Sequence, residues 1–201
     1  MPYARRHALY EAPKPMIFPL FRRNRRPDTI SALYGMIVAQ ARSPVFYRDY
    51  AVADTVNGRF DLLLLHTVLV VGRLMREEEG KAAGQALFDL FCSDMDDNLR
   101  EMGIGDLSVP KHMKRVGEAF YGRAQAYEKA LAEQSDAALI ESVERNVYGG
   151  GGGDAARRLV AYIRRIMAEL DRQTVAAIAA GSLSLPDPAI DASSKGPTTN
   201  D

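Results

Sequence analysis

Apolar residues recur every three to four positions along most of the chain from residue 28 onward, and alternation with a period of two is almost absent. Such spacing places apolar side chains on one face of an α-helix. The clearest stripe comprises Val109, Met113, Val116, Phe120, Ala124, Tyr127 and Leu131. The pattern therefore predicts an all-α protein, a single compact multi-helix domain of about six to seven helices.

Helix boundaries follow from capping residues and glycines that interrupt the stripes. Ser43 before Pro44 predicts the start of a short helix, and Gly103 with Gly105 predicts the end of a longer one. Ser108 and Asp154 are predicted N-caps. The predicted helices span roughly residues 29–41, 43–50, 57–78, 81–102, 108–133, 136–147 and 154–180.

Three regions differ in composition. Residues 1–27 form a basic, proline-containing arm, residues 28–181 form the helical body, and residues 182–201 are rich in Pro, Ser, Thr and Asp. We expect the arm and this tail to be disordered. Five consecutive glycines at 149–153 lack the Gly-Lys-Ser/Thr ending of a phosphate-binding loop, so they predict a flexible joint.

The most apolar segment runs from Leu62 to Gly72. As a helix it would be about 16 Å long, against a hydrocarbon core of about 30 Å, so it is too short to span a bilayer. Leu62, Leu63, Leu64 and Leu65 point in every direction around a helix. Either the helix is enclosed on all sides, or one side of it is an open docking groove.

Composition fits a soluble globular domain, with 47% hydrophobic and 26% charged residues among 201. Lys and Arg together number 26, as do Asp and Glu, so the formal net charge is zero. Such a balance gives no reason to expect specific DNA binding. The single cysteine, Cys92, cannot form an intramolecular disulfide, which favours a reducing compartment.

Charge is concentrated in the N-terminal arm, where seven basic residues face one acidic residue, Glu11. The candidate membrane contacts there are Ile17, Phe18, Leu20, Phe21, Arg22, Arg23, Arg25 and Arg26. Apolar anchors beside arginines can hold a peripheral protein on an anionic membrane. The alternative is an arm that only contacts solvent.

No pattern of catalytic or metal-binding residues is apparent. The three histidines lack the spacing of a metal site, and Cys92 lies within an apolar stripe as a core thiol would. Asp94, Asp97 and Glu101 form an acidic row that is best explained as a solvated helix face. We therefore expect neither an enzyme nor a cofactor.

Aromatic residues and arginines supply a different kind of candidate site, because they are favoured at protein interfaces. Arg59, His66 and Arg73 share one side of the leucine-rich helix and predict a polar contact strip, or the solvent edge of a core helix. Gly122 would permit close approach beside Arg123. The candidate partner-binding residues are Tyr34, Phe46, Tyr47, Tyr50, Arg59, Phe60, Leu64, His66, Arg73, Phe120, Tyr121 and Arg123, with core packing as the alternative for many of them.

Three segments resemble the ubiquinol-cytochrome c chaperone family of cytochrome bc1 complex assembly factors. They are LYGMIVAQARSPVFYRDYAVADTVNGRFDLLLLH from Leu33, DMDDNLREMGIGDLSVPKHMKR from Asp94 and AFYGRAQAY from Ala119. The resemblance implies an all-helical, cofactor-free protein that binds newly made cytochrome b. The compact size is similar to bacterial members, which implies a cytoplasmic protein, peripheral at the cytoplasmic face of the inner membrane. Mitochondrial relatives work with a second assembly factor and the ribosome.

Two alternatives from other functional classes remain. A helix-turn-helix transcriptional regulator would need a basic recognition helix, and residues 28–56 supply only Arg42 and Arg48. A haem-handling helical protein would use His66 as an axial ligand.

Deleting residues 1–27 should weaken binding to anionic liposomes and leave the helical fold intact. Each basic residue near an anionic surface contributes up to about 1 kcal/mol, and the arm carries a net charge of +6. Liposome sedimentation at low salt and far-UV circular dichroism measure the two effects. Equal liposome binding with and without the arm would contradict the prediction.

Overall fold

The computed structural model describes residues 27–192, and these confirm the predicted all-α class. The described residues form α-helices without a single β-strand, and six of the helices have eleven or more residues. The helices are α1 (Pro27–Ala41), α2 (Pro44–Arg48), α3 (Val56–Met75), α4 (Lys81–Glu101), α5 (Val109–Ala132), α6 (Ala137–Val147), α7 (Asp154–Arg172), α8 (Val175–Ala179) and α9 (Ala189–Ala192), with a 3-10 turn at Glu78–Gly80.

Helix α3 lies at the centre of the body. It packs against α1, α4, α5, α6, α7 and α8, and the four consecutive leucines at 62–65 are all buried. The alternative of an open groove along these leucines is therefore wrong, because neighbouring helices cover every side of this segment. Burying each leucine stabilises the fold by roughly 1.5–3 kcal/mol.

The start of α3 is fixed by a side-chain cap and by a close backbone approach. The Thr55 hydroxyl accepts a hydrogen bond from the Gly58 amide at 3.2 Å, which satisfies one free donor of the first turn. A Cβ atom at position 58 would lie 2.0 Å from the Ala53 carbonyl oxygen. Only glycine fits there, so the α2–α3 connection can fold back tightly onto α3.

The last predicted helix, through residue 180, is interrupted in the structure. Helix α7 ends at Arg172, Gln173 is extended, and Thr174 caps α8 by accepting a hydrogen bond from the Ala177 amide. The end of α7 is held by Arg73, which donates to the carbonyl oxygens of Leu170 at 3.1 Å and Gln173 at 3.0 Å. Apolar periodicity runs through the break because α8 also packs on the core.

The glycine run at 149–153 forms the turn between α6 and α7. Gly149, Gly150, Gly152 and Gly153 have positive φ angles, which other residues adopt only with strain. The Gly150 amide donates to the Glu144 carbonyl at 2.9 Å and so closes the end of α6. The run therefore has a conformational role in the turn, and its flexibility stays a prediction.

The prediction that the tail is disordered from residue 182 onward is wrong for residues 182–192, which we name the C-terminal strap. Main-chain carbonyls of the strap accept hydrogen bonds from Gln40 (to Pro186, 2.7 Å), Tyr50 (to Pro188, 2.7 Å), Arg165 (to Asp187, 2.7 Å) and Gln173 (to Ser184, 3.0 Å). Composition could not predict this docking because the acceptors are backbone atoms. The predicted arm up to residue 26 and residues 193–201 lie outside the described part.

No helix within residues 27–192 is both long enough and apolar enough to cross a bilayer.

Removing the C-terminal strap should destabilise the body. A chain ending at residue 181 loses the four carbonyl acceptors above and uncovers Tyr50, and each hydrogen bond contributes about 1 kcal/mol. At about 2–4 °C per kcal/mol for a protein of this size, we expect Tm to fall by about 5 °C or more.

The matched control is a chain ending at residue 192, which keeps the strap and should melt like the full chain. Thermal unfolding followed by circular dichroism measures all three proteins. A chain ending at 181 with an unchanged Tm would show that the strap contributes nothing to stability.

Candidate functional site

The structure divides the candidate partner-binding residues into a buried group and an accessible group. The buried group comprises Tyr34, Phe46, Tyr50, Leu64, His66, Arg73 and Phe120, and the accessible or half-buried group comprises Tyr47, Arg59, Phe60, Tyr121 and Arg123. The expected open groove through Phe46, Tyr50 and Leu64 is wrong, because these three side chains are fully buried in the folded chain.

Four rings form a buried polar cluster where α2, α3 and α7 meet: Phe46, Tyr50, His66 and Tyr162. Their centroids lie 5.2–6.1 Å apart in tilted and edge-to-face arrangements, as quadrupole interactions favour. The strap reaches this cluster through the hydrogen bond from Tyr50 to Pro188.

Hydrogen bonds through the buried polar cluster define the state of His66. Its Nδ1 lies 2.7 Å from the Leu62 carbonyl oxygen, which can only accept, so Nδ1 carries the proton. Its Nε2 then accepts from the Tyr162 hydroxyl at 3.0 Å, and Gln40 donates to that hydroxyl oxygen at 2.7 Å. Each of these polar groups is satisfied with a neutral imidazole.

Burial lowers the pKa of His66 to about 4, opposed by the backbone hydrogen bond to Leu62. Both ring nitrogens are engaged and the residue has no exposed surface. An axial haem ligand needs a free nitrogen with room for the macrocycle. The expectation of His66 as a haem ligand is therefore wrong for this fold.

The predicted polar strip of Arg59, His66 and Arg73 is not a continuous surface. His66 is interior, and Arg73 is 7% exposed because its guanidinium caps α7 and pairs with Glu77 at 2.8 Å. Arg59 alone is well exposed. Helical phase placed the three residues on one side of α3 correctly, but α7 covers that side.

An accessible surface remains on α2, α3 and α5, and we name it the Arg-aromatic surface: Tyr47, Arg59, Phe60 and Arg123. The Arg59 guanidinium lies 5.6 Å from the Tyr47 ring centroid, and that of Arg123 lies 5.9 Å from the Phe60 ring centroid. Both distances permit cation–π attraction. Arg59 and Phe60 are consecutive residues in the first turns of α3, so the two pairs lie near the same end of that helix, about 100° apart around its axis.

An ion pair between Asp61 and Arg123, 2.6 Å apart, lies beside the Arg-aromatic surface. Burial raises the pKa of Asp61, and the Arg123 guanidinium opposes that shift. Arg123 borders a depression of about 320 Å³ with Gly122 and Asn146, and Asp61 borders another of about 230 Å³ with Gly58 and Tyr148. The pair therefore lies between two shallow surface depressions.

Tyr121 belongs to a separate aromatic group between α4 and α5. Its ring centroid lies 5.6 Å from that of Phe88, which contacts the buried Phe120 at 4.7 Å. Cys92 is half-buried, and burial raises the pKa of its thiol to about 11, so it is protonated at neutral pH. Neither residue has the environment of an activated nucleophile.

The family-model description Ubiquinol-cytochrome C chaperone matches residues 48–185, which span α3 to α8 and include Arg59, Phe60 and Arg123 of the Arg-aromatic surface. The chain belongs to this chaperone family. No curated protein sequence matches the chain at a significant level.

A crystal structure of the Cbp3 homolog from Brucella abortus is similar to this family member in sequence and fold. The two chains share 36% sequence identity with a TM-score of 0.74, over 81% of this chain and 91% of that chain. The resemblance predicted from the sequence is thereby confirmed.

Several residues that shape the sites of this chaperone-family member were not singled out from its sequence. Tyr162 and Gln40 complete the buried polar cluster, and Asp61 anchors Arg123. Asp61 could have been found, because a carboxylate directly before four leucines needs a buried partner. Tyr162 follows the α7 core stripe, so its hydroxyl gave no separate signal. Within residues 27–192, no group of histidines, cysteines and carboxylates could hold a metal ion.

The neutral state of His66 predicts a pH dependence of stability. The unfolded chain binds a proton at His66 below about pH 6.5, whereas the folded chain binds it only near pH 4. The free energy of unfolding should therefore fall as pH falls through this range, by about 1.4 kcal/mol per pH unit from this group. Above pH 6.5 His66 is neutral in both the folded and the unfolded chain, so it adds no pH dependence to the free energy of unfolding.

Urea unfolding from pH 7 to pH 4 should show a shallower loss of stability for His66→Gln than for the unaltered chain. His112→Gln removes a histidine outside the buried polar cluster and serves as the control. Parallel pH profiles for His66→Gln and the unaltered chain would contradict the prediction.

Proposed function

We propose that this protein is an assembly chaperone that binds newly made cytochrome b and assists biogenesis of the cytochrome bc1 complex. The observation that carries the proposal is membership of the ubiquinol-cytochrome c chaperone family over residues 48–185. The similarity to the Cbp3 homolog, over most of both chains, supports it. We propose binding without catalysis or a cofactor.

The physical basis of such a function is the cost of exposing apolar surface to water. An unassembled membrane protein exposes apolar helices, at about 25 cal/mol per Å². A chaperone that covers part of this surface lowers the concentration of aggregation-prone client. Release needs no nucleotide, because binding of the client to its permanent partners displaces the chaperone by mass action.

The Arg-aromatic surface is the best-supported client contact. Tyr47 and Phe60 offer half-buried ring surface, and Arg59 offers an exposed guanidinium at the Tyr47 ring, whereas Arg123 is mostly buried against Phe60 and paired with Asp61. Aromatic side chains and arginine are the types most enriched at interaction hot spots. Guanidinium groups there can bind client carbonyls or carboxylates while the rings cover apolar side chains.

The buried members of the candidate set support this surface from below. Phe46 is the buried residue that anchors α2, which also carries Tyr47, and Leu64 is buried in α3, which carries Arg59 and Phe60. Their proposed contribution to client binding is therefore indirect. Tyr121 lies apart from this surface, against Phe88 of α4, and Tyr34 is fixed to α4 by a 2.7 Å hydrogen bond to Asp94.

The proposed location is the cytoplasmic face of the inner membrane, where a peripheral protein meets cytochrome b as it is inserted. The basic N-terminal arm supports this location through its attraction to anionic lipid. Further partners proposed from the family are the ribosome and a second assembly factor.

Charge reversal on the Arg-aromatic surface should reduce client capture without unfolding the protein. In Arg59→Glu the cation is lost beside Tyr47, and in Tyr47→Asp the ring is lost, so we expect co-purified cytochrome b to fall at least about tenfold. Because the Arg59 to Asp54 pair is exposed and screened by solvent, its loss should leave the midpoint of thermal unfolding nearly unchanged.

The control is Arg157→Glu, which reverses an exposed, ion-paired arginine on α7. Affinity purification from membranes, with mass spectrometry of the bound proteins, measures capture, and thermal unfolding measures stability. Capture by Arg59→Glu and Tyr47→Asp equal to that of Arg157→Glu would reject this surface. Absence of cytochrome b with the unaltered chain would reject the proposed function itself.

A further inference from the structure

The connection between α4 and α5 exposes apolar side chains to solvent. Leu107 is 100% exposed and Met102 is 57% exposed. Met102 directly precedes Gly103, and Leu107 follows Gly105 by two residues. Isolated exposed leucines are common, but a fully exposed leucine at the end of a connection beside a second exposed apolar residue forms a protruding apolar point. We name residues 102–115 the α4–α5 tip.

Helical phase places Leu107 beside cations. The Ser108 and Val109 amides both donate to the Gly105 carbonyl, so the turn before α5 already has helical hydrogen bonding. Leu107 lies in this turn, two residues before α5, and continuing the phase of α5 back to it places Leu107, Lys111, Lys114 and Arg115 within about 100° of one another; all four are exposed. The core stripe that begins at Val109 lies on the opposite face, because two residues correspond to about 200° of rotation.

The charges on the α4–α5 tip are unbalanced. Three cations face one carboxylate, Asp106, and that carboxylate pairs with Arg100 of α4. Glu118, one turn further along α5, lies 3.7 Å from Lys114, and both side chains are mostly exposed. Lysines near a helix N-terminus are unfavourable with respect to the helix dipole, so their cluster is not explained by the stability of α5.

We propose that the α4–α5 tip is a second membrane-contact site, which inserts Leu107 into the interface of an anionic bilayer while Lys111, Lys114 and Arg115 bind lipid phosphates. The excess of exposed cations beside an exposed leucine favours an anionic lipid surface over a polypeptide. An exposed apolar anchor with cations on the same face is the combination that peripheral proteins use on anionic membranes. The inference does not depend on the identity of the client.

The experiment compares full-length variants for flotation with mixed phosphatidylglycerol and phosphatidylcholine vesicles and with pure phosphatidylcholine vesicles. To remove the contribution of the arm, each variant is also made with Arg22, Arg23, Arg25 and Arg26 changed to Gln. The tip variants are Leu107→Ser and the triple variant Lys111→Gln, Lys114→Gln and Arg115→Gln. The charge-matched control is Lys129→Gln, Arg157→Gln and Arg172→Gln, three exposed cations outside the tip.

We expect the triple tip variant to bind the mixed vesicles at least about tenfold more weakly than the control, since each cation contributes up to about fivefold. Leu107→Ser should weaken binding as well, and added salt should reduce the difference between the triple variant and the control. Since all four residues are exposed, thermal unfolding should be unchanged.

Three results would overturn the proposal. The first is vesicle binding by both tip variants equal to that of the control, and the second is no vesicle binding by the unaltered chain. The third is loss of cytochrome b capture by the tip variants with vesicle binding retained, which would assign the tip to a polypeptide partner.

Discussion

Enclosure of α3 is the constraint on which the rest of the structure depends. Four consecutive leucines cover the full circumference of this helix, so no arrangement on the surface of a helical bundle could bury all of them. Within residues 27–192 at least six other helices contact α3, and the chain must pass around it to supply them. The short elements follow from this requirement: α2 closes one side near Phe46, while α8 continues the cover beyond the end of α7.

Enclosure also brings polar groups into the interior, and each must find a partner because an unpaired buried group is costly. His66 is satisfied by the Leu62 carbonyl and Tyr162, and Arg73 uses its buried guanidinium to cap α7. Tyr162 in turn accepts from Gln40, which also donates to the C-terminal strap. The strap is thus joined to the centre of the molecule through a chain of hydrogen bonds that begins on α3.

Apolar periodicity predicted the class, the long helices and the core stripe of α5, because helix-forming patterns are local. It did not decide whether the leucine segment of α3 is enclosed on all sides or open on one side. Phe46, Tyr50 and Leu64 are residue types that are common at interfaces as well as in cores. They are core residues here because neighbouring helices and the strap cover them. Arg59 and Tyr47 could be recognised as candidates, but their pairing across 5.6 Å depends on the α2–α3 turn at Gly58. The docking of residues 182–192 was missed since it uses backbone acceptors, which composition does not reveal.

A closed core limits how such a protein can act on a membrane client. The body cannot open α3 to receive an apolar helix without losing several leucine contacts, each of roughly 1.5–3 kcal/mol. The depressions beside Asp61 and Arg123, about 230 and 320 Å³, are also too small for a transmembrane helix about 30 Å long. The proposed client contact is therefore a surface contact with a short segment, of the small area typical of transient complexes. Weak binding of this kind suits release by mass action, and the proposed membrane-contact tip would compensate by confining the protein to the surface where the proposed client is inserted.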